Sequence, residues 1–249
     1  MRHKHRHLVV LSTLAVLAFS ITASAANATI LYEWKVKGAA LKTGESKEVT
    51  LKAKPKTVVK WAVNFPTLLF VGNINSSELQ LTKAAKIIGG KPGEIEGELV
   101  FTGATYEPTK NKELFAHCTV DTLSSEPGVL RTVSLRGEVV ESAEAKKGTG
   151  KTELLISPKT GEGLIEIHIG GKECAREIGY VVDGTMLAEM APQKSEAKVT
   201  KLSFAKSGSE YRNAKEEFKT SVLESFGENQ PIAGETELEL VSKEAFGAF

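Results

Sequence analysis

The run at residues 145–152, AKKGTGKT, is the most chemistry-like motif of the chain. It fits a loose phosphate-binding loop in which alanine replaces the first glycine, with Lys151 on the phosphates and Thr152 on magnesium. Such a loop needs a helix directly after it, whose N-terminus faces the anion. Residues 152–158, TELLISP, instead have the pattern of a short strand that ends at proline. The sequence therefore favours a charged hairpin loop, and no cofactor is predicted.

Cysteine and histidine are adjacent at His117–Cys118, a pairing that could supply a nucleophile and its base. Neighbours on a strand point to opposite faces, so in a strand over Phe115–Asp121 only Cys118 faces the buried side. In an exported chain, which the leader described below indicates, the two cysteines most simply form a disulfide. We therefore predict a Cys118–Cys174 bond, with two free thiols in a reducing compartment as the alternative.

Two further patterns suggest chemistry only weakly. His168 lies near Glu166 on a predicted strand, but it shares no metal-ligand spacing with His117, so we expect either a histidine satisfied by a neighbouring group or a solvent-exposed one, and no metal. Ser203 and Lys206 match a Ser-x-x-Lys nucleophile pattern, which needs a helix to bring the lysine to the serine. The local pattern there is strand and then loop, and no catalytic residue is predicted.

Two rows of glutamate alternate with other residues, as on one face of a strand. The first is Glu94, Glu96 and Glu98, and the second is formed by residues 235, 237 and 239. Such rows could bind calcium or perform acid–base chemistry. Solvated outer faces and protected sheet edges explain them more simply.

Three aromatic residues are candidates for stacking against a ligand. Tyr32 and Trp34 share one strand face, and Trp61 belongs to the next apolar segment. If their rings are exposed, they suit sugar or polymer stacking; if they are buried, they are the largest residues of the core. The core interpretation is favoured, because a strand must bury its apolar face.

These residues lie on many short runs in which apolar and polar residues alternate, and Gly and Pro separate the runs. This pattern predicts an all-β fold, either an antiparallel sandwich or an open barrel. We expect a strand over Arg131–Glu141 with Val133 inward, and a hairpin at Asp183–Gly184. Residues 214–226 fit either a strand or a helix, and a strand is favoured. The Gly/Pro-rich run at 89–93 is either a tight loop or a division between two sub-domains.

The first 25 residues have the pattern of a cleaved signal peptide: a positive start, an apolar run from Leu8 to Ile21, and the A-x-A site Ala23–Ala25. With its three basic residues removed, 29 basic residues remain against 31 acidic ones, a net charge of −2. This balance argues against a nucleic-acid partner. We expect a single all-β domain over residues 26–249, secreted or at the cell surface, with no membrane span after cleavage.

Several short motifs of the chain, each at a predicted strand, a turn or a cysteine, are shared with a group of known proteins. They are residues 34–38 (WKVKG) followed by a turn at 41–44, residues 97–103 (GELVFTG), 118–120 (CTV), 157–161 (SPKTG) and 246–249 (FGAF). With these motifs and its leader, the chain resembles a group of uncharacterised secreted all-β proteins from soil actinobacteria. Members of that group typically carry more cysteines in the N-terminal half, where this chain has none. The resemblance implies a secreted all-β fold, and the group has no known activity that could be transferred to this chain.

These observations lead to three hypotheses of function. The first is a non-enzymatic extracellular or cell-surface module that is structural or binds a cell-wall polymer or another protein. The second is a secreted polysaccharide hydrolase that uses carboxylates such as Glu166 and requires two of them in one cleft, flanked by aromatic residues. The third, an outer-membrane barrel, requires an outward apolar belt and an open lumen.

Overall fold

The computed structural model describes residues 32–52, 59–82, 84–123, 126–143, 150–161, 163–204 and 208–249. The predicted leader, 1–25, lies outside these ranges. The regular secondary structure of the described chain is all-β, as predicted, apart from one helical turn and one 3₁₀ turn. Within these ranges, no helix has the length and apolar character that a membrane span requires.

The strands are short and follow one another closely. The first half of the chain contains β1 Trp34–Val36, β2 Ala39–Ala40, β3 Ser46–Lys52, β4 Val59–Phe65, the 3₁₀ turn Pro66–Leu68, β5 Phe70–Ser76, β6 Glu78–Leu81, β7 Lys86–Ile88, β8 Glu94–Gly97, β9 Leu99–Thr102, β10 Thr105–Pro108, α1 Lys112–Phe115 and β11 Thr119–Asp121. The second half contains β12 Leu130–Arg131, β13 Leu135–Ser142, β14 Thr152–Pro158, β15 Gly163–Gly170, β16 Ile178–Gly184, β17 Met186–Ala191, β18 Val199–Phe204, β19 Ser209–Arg212, β20 Phe218–Ser221, β21 Leu223–Ser225, β22 Glu228–Asn229, β23 Ile232–Leu240 and β24 Phe246–Ala248.

Eight of these strands form a closed antiparallel barrel in the order β3, β7, β8, β13, β14, β17, β18 and β23. The barrel closes where β23 pairs with β3, with Leu240 opposite Val49. Its strands alternate between inward apolar and outward polar residues, as β23 shows by burying Thr236, Leu238 and Leu240. Closure leaves the barrel without the free edges that an open sheet would expose.

The strand order places all long connections at one end of the barrel. Consecutive antiparallel strands connect at alternate ends, and every second connection is long: β3 to β7, β8 to β13, β14 to β17 and β18 to β23. These four connections hold the strands β4–β6, β9–β12, β15–β16 and β21–β22, which we call the cap. The cap contains three small sheets, and one of them continues into the barrel through the pairing of Ile232 with Trp61.

The opposite end of the barrel is closed by the short sheet β2-β1-β24. Trp34 pairs with Ala248 in register and packs against Phe246 with ring centroids 6.1 Å apart. The indole N–H of Trp34 donates to the carbonyl of Glu94 at 2.8 Å, which fixes the ring against the β7–β8 hairpin. Both ends of the barrel are therefore covered.

The cap has an aromatic core of its own. Edge-to-face contacts join Trp61 to Phe101 at 5.4 Å and Phe65 to Tyr180 at 4.7 Å. As predicted, a disulfide joins Cys118 to Cys174, with Cα atoms 4.6 Å apart, and it ties the end of α1 to the loop between β15 and β16. One continuous cluster of buried apolar side chains runs from the β1–β24 sheet through the barrel into the cap.

Two sequence predictions were wrong because consecutive strands belong to different sheets. Asp183–Gly184 is not a hairpin: β16 lies in the cap and β17 in the barrel wall, and the chain crosses between them. Gly184 has φ +104°, and a Cβ there would lie 2.0 Å from the carbonyl oxygen of Val222. The strand expected over Arg131–Glu141 splits likewise into β12 in the cap and β13 in the barrel, and Val133 between them is 42% exposed.

Two other segments differ in local structure from the simplest expectation. Residues 112–115 form the helical turn α1, so the strand expected over Phe115–Asp121 begins only at Thr119. Within 214–226, β20 and β21 agree with the favoured strand interpretation. The run at 89–93 connects β7 and β8, which pair directly with each other, so it lies within one sheet.

Candidate functional site

The barrel interior has little room for a ligand. Its cavity is about 30 Å³ and is lined almost entirely by aliphatic side chains such as Leu51, Leu154 and Leu238. Ligand pockets for drug-sized molecules usually measure roughly 300–1,000 Å³. The barrel interior therefore has no space for a ligand of that size.

A polar cleft of about 500 Å³ lies on the outer wall of the barrel. The wall is formed there by β13, β14 and β17, and the other side of the cleft is the start of the hairpin arm, which we define as β19 and β20 with their turn. The described residues that line the cleft are Ser142, Ala143, Lys151, Glu153, Glu189, Gly208, Ser209 and Glu210. Carboxylates, hydroxyls and one ammonium group therefore face the same space.

Strand register sets the chemistry of the cleft floor. Glu153 and Glu189 are directly opposite on β14 and β17, which places their Cβ atoms roughly 4.5–5.5 Å apart on one face. Their neighbours Leu154 and Ala188 face the barrel core, so both glutamates lie on the outer face of the wall, where Glu153 is 7% exposed and Glu189 is partly buried. The Nζ of Lys151 contacts the Oε2 of Glu189 at 3.0 Å. The floor is thus a pair of carboxylates with an ammonium group beside it.

The hairpin arm is held over this wall by a small hydrophobic cluster. Tyr211 of β19 packs against Val140 and Leu187 on the outer face of the barrel, with Leu155 at the edge of the cluster. Burial of Tyr211 raises the pKa of its hydroxyl, with the charge of Glu138 as a smaller cause. The arm therefore has its own apolar seat and is not a loosely attached loop.

A buried ion pair anchors the same arm. Glu141 is 1% exposed and Arg212 is 7% exposed, and their side chains lie 3.4 Å apart. The Glu141 carboxylate also accepts the backbone N–H of Gly150 at 2.7 Å and faces the hydroxyl of Tyr32 at 3.5 Å. The guanidinium of Arg212 lies over the Phe218 ring at 4.7 Å. Burial, and then the charge of Glu141, raise the pKa of Tyr32 far above its usual range.

The phosphate-loop candidate falls beside this ion pair. Residues 144–149 lie outside the described ranges, but the end of the motif is described. The N–H of Gly150 is bonded to the Glu141 carboxylate, Lys151 is paired with Glu189, and Thr152 begins strand β14. The strand stands where the motif would need a helix, which agrees with the hairpin interpretation.

The three aromatic stacking candidates lie inside the protein. Tyr32 is 4% exposed, Trp34 is fully buried and Trp61 is 1% exposed. Trp34 and Trp61 stack against other aromatic rings of the core, as described above. None of the three presents a ring face to a ligand, because the apolar face of each strand is the one that the fold buries.

Neither histidine of the described chain belongs to a catalytic or metal-binding cluster. His117 is exposed in the turn after α1 and is not on a strand, while Cys118 is buried and bonded to Cys174. His168 is partly buried, with its ring 3.5 Å from the Asp121 carboxylate and 3.9 Å from that of Glu177. Among the described residues, no group of three or more His, Cys, Asp or Glu side chains is arranged to hold a metal ion.

Glutamates of both rows are paired with basic residues of other strands and of nearby turns. Arg136 holds Glu94 through two hydrogen bonds of 3.1 and 2.6 Å, and Lys159 contacts Glu96 at 2.9 Å. Further ion pairs of the two rows are Lys86–Glu96, Arg131–Glu98, Lys201–Glu235 and Lys243–Glu239. The rows are therefore cross-linked outer faces, as the simpler interpretation predicted. Ser203 lies on β18, and Lys206 is outside the described residues.

One of these pairs supports a test by titration. The hydrogen bond from Lys159 lowers the pKa of Glu96, and Lys86 adds to the effect. We expect Lys159→Met to raise the pKa of Glu96 toward its ordinary value, measured from the side-chain carboxyl signal by NMR. A carboxylate whose pKa is lower in the folded state than in the unfolded state stabilises the fold at pH values above its unfolded pKa of about 4.3. This stabilisation is lost as the pH falls through the lowered, folded-state pKa. An unchanged Glu96 titration in the variant would show that the pair is not formed in solution.

The cleft itself could not be found from the sequence. Its floor joins β14 to β17, strands that are separated by the two cap strands β15 and β16. The available signal was the presence of two acidic residues, Glu153 and Glu189, in otherwise apolar strands. Acidic residues are costly to bury and so mark a functional or paired position.

No family model matches the chain, and no curated protein or solved structure is significantly similar to it.

Proposed function

We propose that this protein is an extracellular or cell-surface module that binds a hydroxyl-rich polymer, such as a cell-wall glycan, in the polar cleft. The observation that carries the proposal is the paired carboxylates Glu153 and Glu189 on the cleft floor, with Lys151 beside them. Carboxylates accept hydrogen bonds from sugar hydroxyls, and an ammonium group donates to them. Export is supported by the leader pattern and by the disulfide, which persists in oxidising compartments.

A second candidate is a polysaccharide hydrolase at the same cleft. Two carboxyl groups about 5–5.5 Å apart are the arrangement of retaining glycosidases, and strand register brings Glu153 and Glu189 close enough to approach it. The described lining contains no aromatic side chain to flank them. For this reason binding without turnover is preferred. Glu166, named from the sequence for this role, lies exposed on β15 in the cap and not in the cleft.

The test is retention of residues 26–249 on cell-wall and glycan arrays, scored for bound protein and for released sugar. We expect retention without release, and a loss of affinity of about tenfold in Glu153→Gln and in Glu189→Gln. An uncharged amide keeps the shape but loses a charge-assisted hydrogen bond, and each 1.4 kcal/mol is tenfold in affinity. Glu235→Gln is the matched control, because that glutamate is paired with Lys201 on the outer wall and does not line the cleft.

The outcomes separate the two candidates. Release of reducing ends that both cleft variants abolish would replace binding by hydrolysis. Retention that Glu235→Gln weakens as much as the cleft variants would place the ligand elsewhere on the wall. Absence of retention on every glycan and cell-wall preparation would overturn both candidates.

A further inference from the structure

The far end of the cap carries a cluster of exposed apolar side chains. Leu68 and Leu69 are 46% and 38% exposed at the β4–β5 connection, Leu114 is 41% exposed on α1, and Phe226 is 75% exposed in the β21–β22 turn. Among the described residues these are four of the nine large apolar side chains that are exposed. Single exposed apolar residues are ordinary, but a contiguous group indicates an interaction surface.

Hydrogen bonds and a ring contact show that the three segments are neighbours. Asn111 donates its side-chain amide to the carbonyl of Leu69 at 3.5 Å, which places the α1 segment beside the 3₁₀ turn. On the other side, the rings of Phe65 and Phe226 lie 5.9 Å apart, and the Asn64 amide donates to Glu228 at 3.3 Å. The order across the surface is therefore α1, the 3₁₀ turn, and the β21–β22 turn. We call this surface the tip.

Two of the tip residues have unfavourable backbone conformations. Leu69 has φ +68° and Phe226 has φ +49°, in the left-handed region that favours Gly and Asn. Phe226 and Gly227 form a two-residue hairpin loop with positive φ at both positions, where type I′ turns normally have Asn-Gly. A large apolar side chain at that position gains almost no burial in the single chain. A second surface that covers it would supply the missing burial.

The charges around the tip select the kind of surface. On the α1 side, Lys110 and Lys112 outnumber Glu113, and the loop at 171–177, tied there by the disulfide, adds two basic and two acidic residues. On the opposite side, Glu224 and Glu228 flank Phe226. One side of the tip is thus net positive and the other net negative. An anionic membrane would attract one side and repel the other.

A two-fold axis turns this asymmetry into complementarity. In an isologous dimer, residue i of one copy contacts residue j of the other, and j contacts i. An axis that passes through the 3₁₀ turn, perpendicular to the line from α1 to the β21–β22 turn, therefore sets the basic side of one copy against the acidic side of the other. With the axis near the 3₁₀ turn, the apolar residues of both copies lie in the centre of the interface and the charges at its rim, as in other protein interfaces. We infer that the tip is a homodimer interface, and that its occupant is a second copy of this chain.

The first test measures self-association of residues 26–249 by sedimentation equilibrium over a wide concentration range. We expect a monomer–dimer equilibrium, and at least a tenfold weaker dimer in the double variant Leu69→Asn/Phe226→Asn. Asparagine accepts the left-handed conformation at both positions, so thermal unfolding of the monomer should stay the same or rise. Val241→Thr is the matched control, because Val241 is 52% exposed next to β23 at the opposite end of the barrel, and it should leave the equilibrium unchanged.

The second test reverses charges across the axis. Lys112→Glu and Glu224→Lys should each weaken the dimer several-fold, and the two together should restore it, because the reversed charges again face each other. A protein that stays monomeric at all concentrations overturns the inference. So does a dimer that the Leu69/Phe226 variant leaves intact, or one that the double reversal fails to restore. Binding of the monomer to phosphatidylcholine/phosphatidylglycerol vesicles, lost in the Leu69/Phe226 variant, would assign the tip to a lipid surface instead.

Discussion

Replacing Arg212 with methionine is expected to lower the free energy of unfolding by about 3–5 kcal/mol, the range found when one partner of a buried ion pair is removed. Glu141 is 1% exposed, and without Arg212 its carboxylate keeps the N–H of Gly150 and the hydroxyl of Tyr32 as described donors. Urea unfolding followed by circular dichroism measures the change, read as a shift in midpoint at constant slope.

Two comparisons make this prediction specific. The double variant Arg212→Met/Glu141→Leu should recover most of the loss, since an apolar pair of similar volume can replace a buried ion pair at little cost. Lys201→Met breaks a pair with Glu235 in which both side chains are more than a third exposed, and it should cost less than about 1 kcal/mol. If Arg212→Met were as mild as Lys201→Met, the pair would not anchor the hairpin arm.

Removal of the disulfide has an expected effect of similar size. The bond closes a loop with a sequence separation of 56 residues, for which the chain-entropy model gives about 4 kcal/mol of stabilisation. The variant Cys118→Ala/Cys174→Ala should lose stability by about this amount, and reduction of the wild-type protein should reproduce the loss. Thermal and urea unfolding with and without a reductant measure both.

Two observations would contradict this second prediction. Non-reducing mass spectrometry that finds both thiols free would remove its premise. Equal stability of the reduced and oxidised proteins would show that the pairing of Thr119–Asp121 with β15 already holds the two segments together. Cys174→Ala alone also removes the bond, but it leaves the buried Cys118 side chain in place, and Cys174 itself is only partly buried. A loss of stability in this single variant therefore reports the missing bond and not a disturbed core.

Local periodicity explains what the sequence could predict of this fold. The alternation in β1 and β23 depends only on neighbouring residues, so both strands and their buried faces were predicted correctly. Sheet membership depends on partners that are far away in sequence. The run at Arg131–Glu141 looks like one continuous strand and Tyr180–Glu189 looks like a hairpin, yet each leaves the cap and enters the barrel within a few residues.

The candidate site shows the same limit more strongly. Glu141 and Arg212 are 71 residues apart, and neither has a local pattern that marks it as half of an ion pair. The most chemistry-like motif, residues 145–152, is followed by the strand β14, which the local pattern predicts. The cleft beside it depends on the register of β14 against β17. Register between distant strands is set by the whole fold and is not written in any one segment.

Barrel closure has a consequence for the timing of folding. The seam pairs Val49 with Leu240, so its two strands leave the ribosome at nearly opposite stages of synthesis. Until β23 is made, β3 and β18 are both open edges, and the apolar lining between them stays accessible to water. Such distant pairing makes folding slow and leaves unpaired strands prone to aggregation meanwhile. The barrel of this chain therefore closes only when β23 pairs with β3. A chaperone that binds unfolded chains would cover the largest exposed apolar surface just before that pairing.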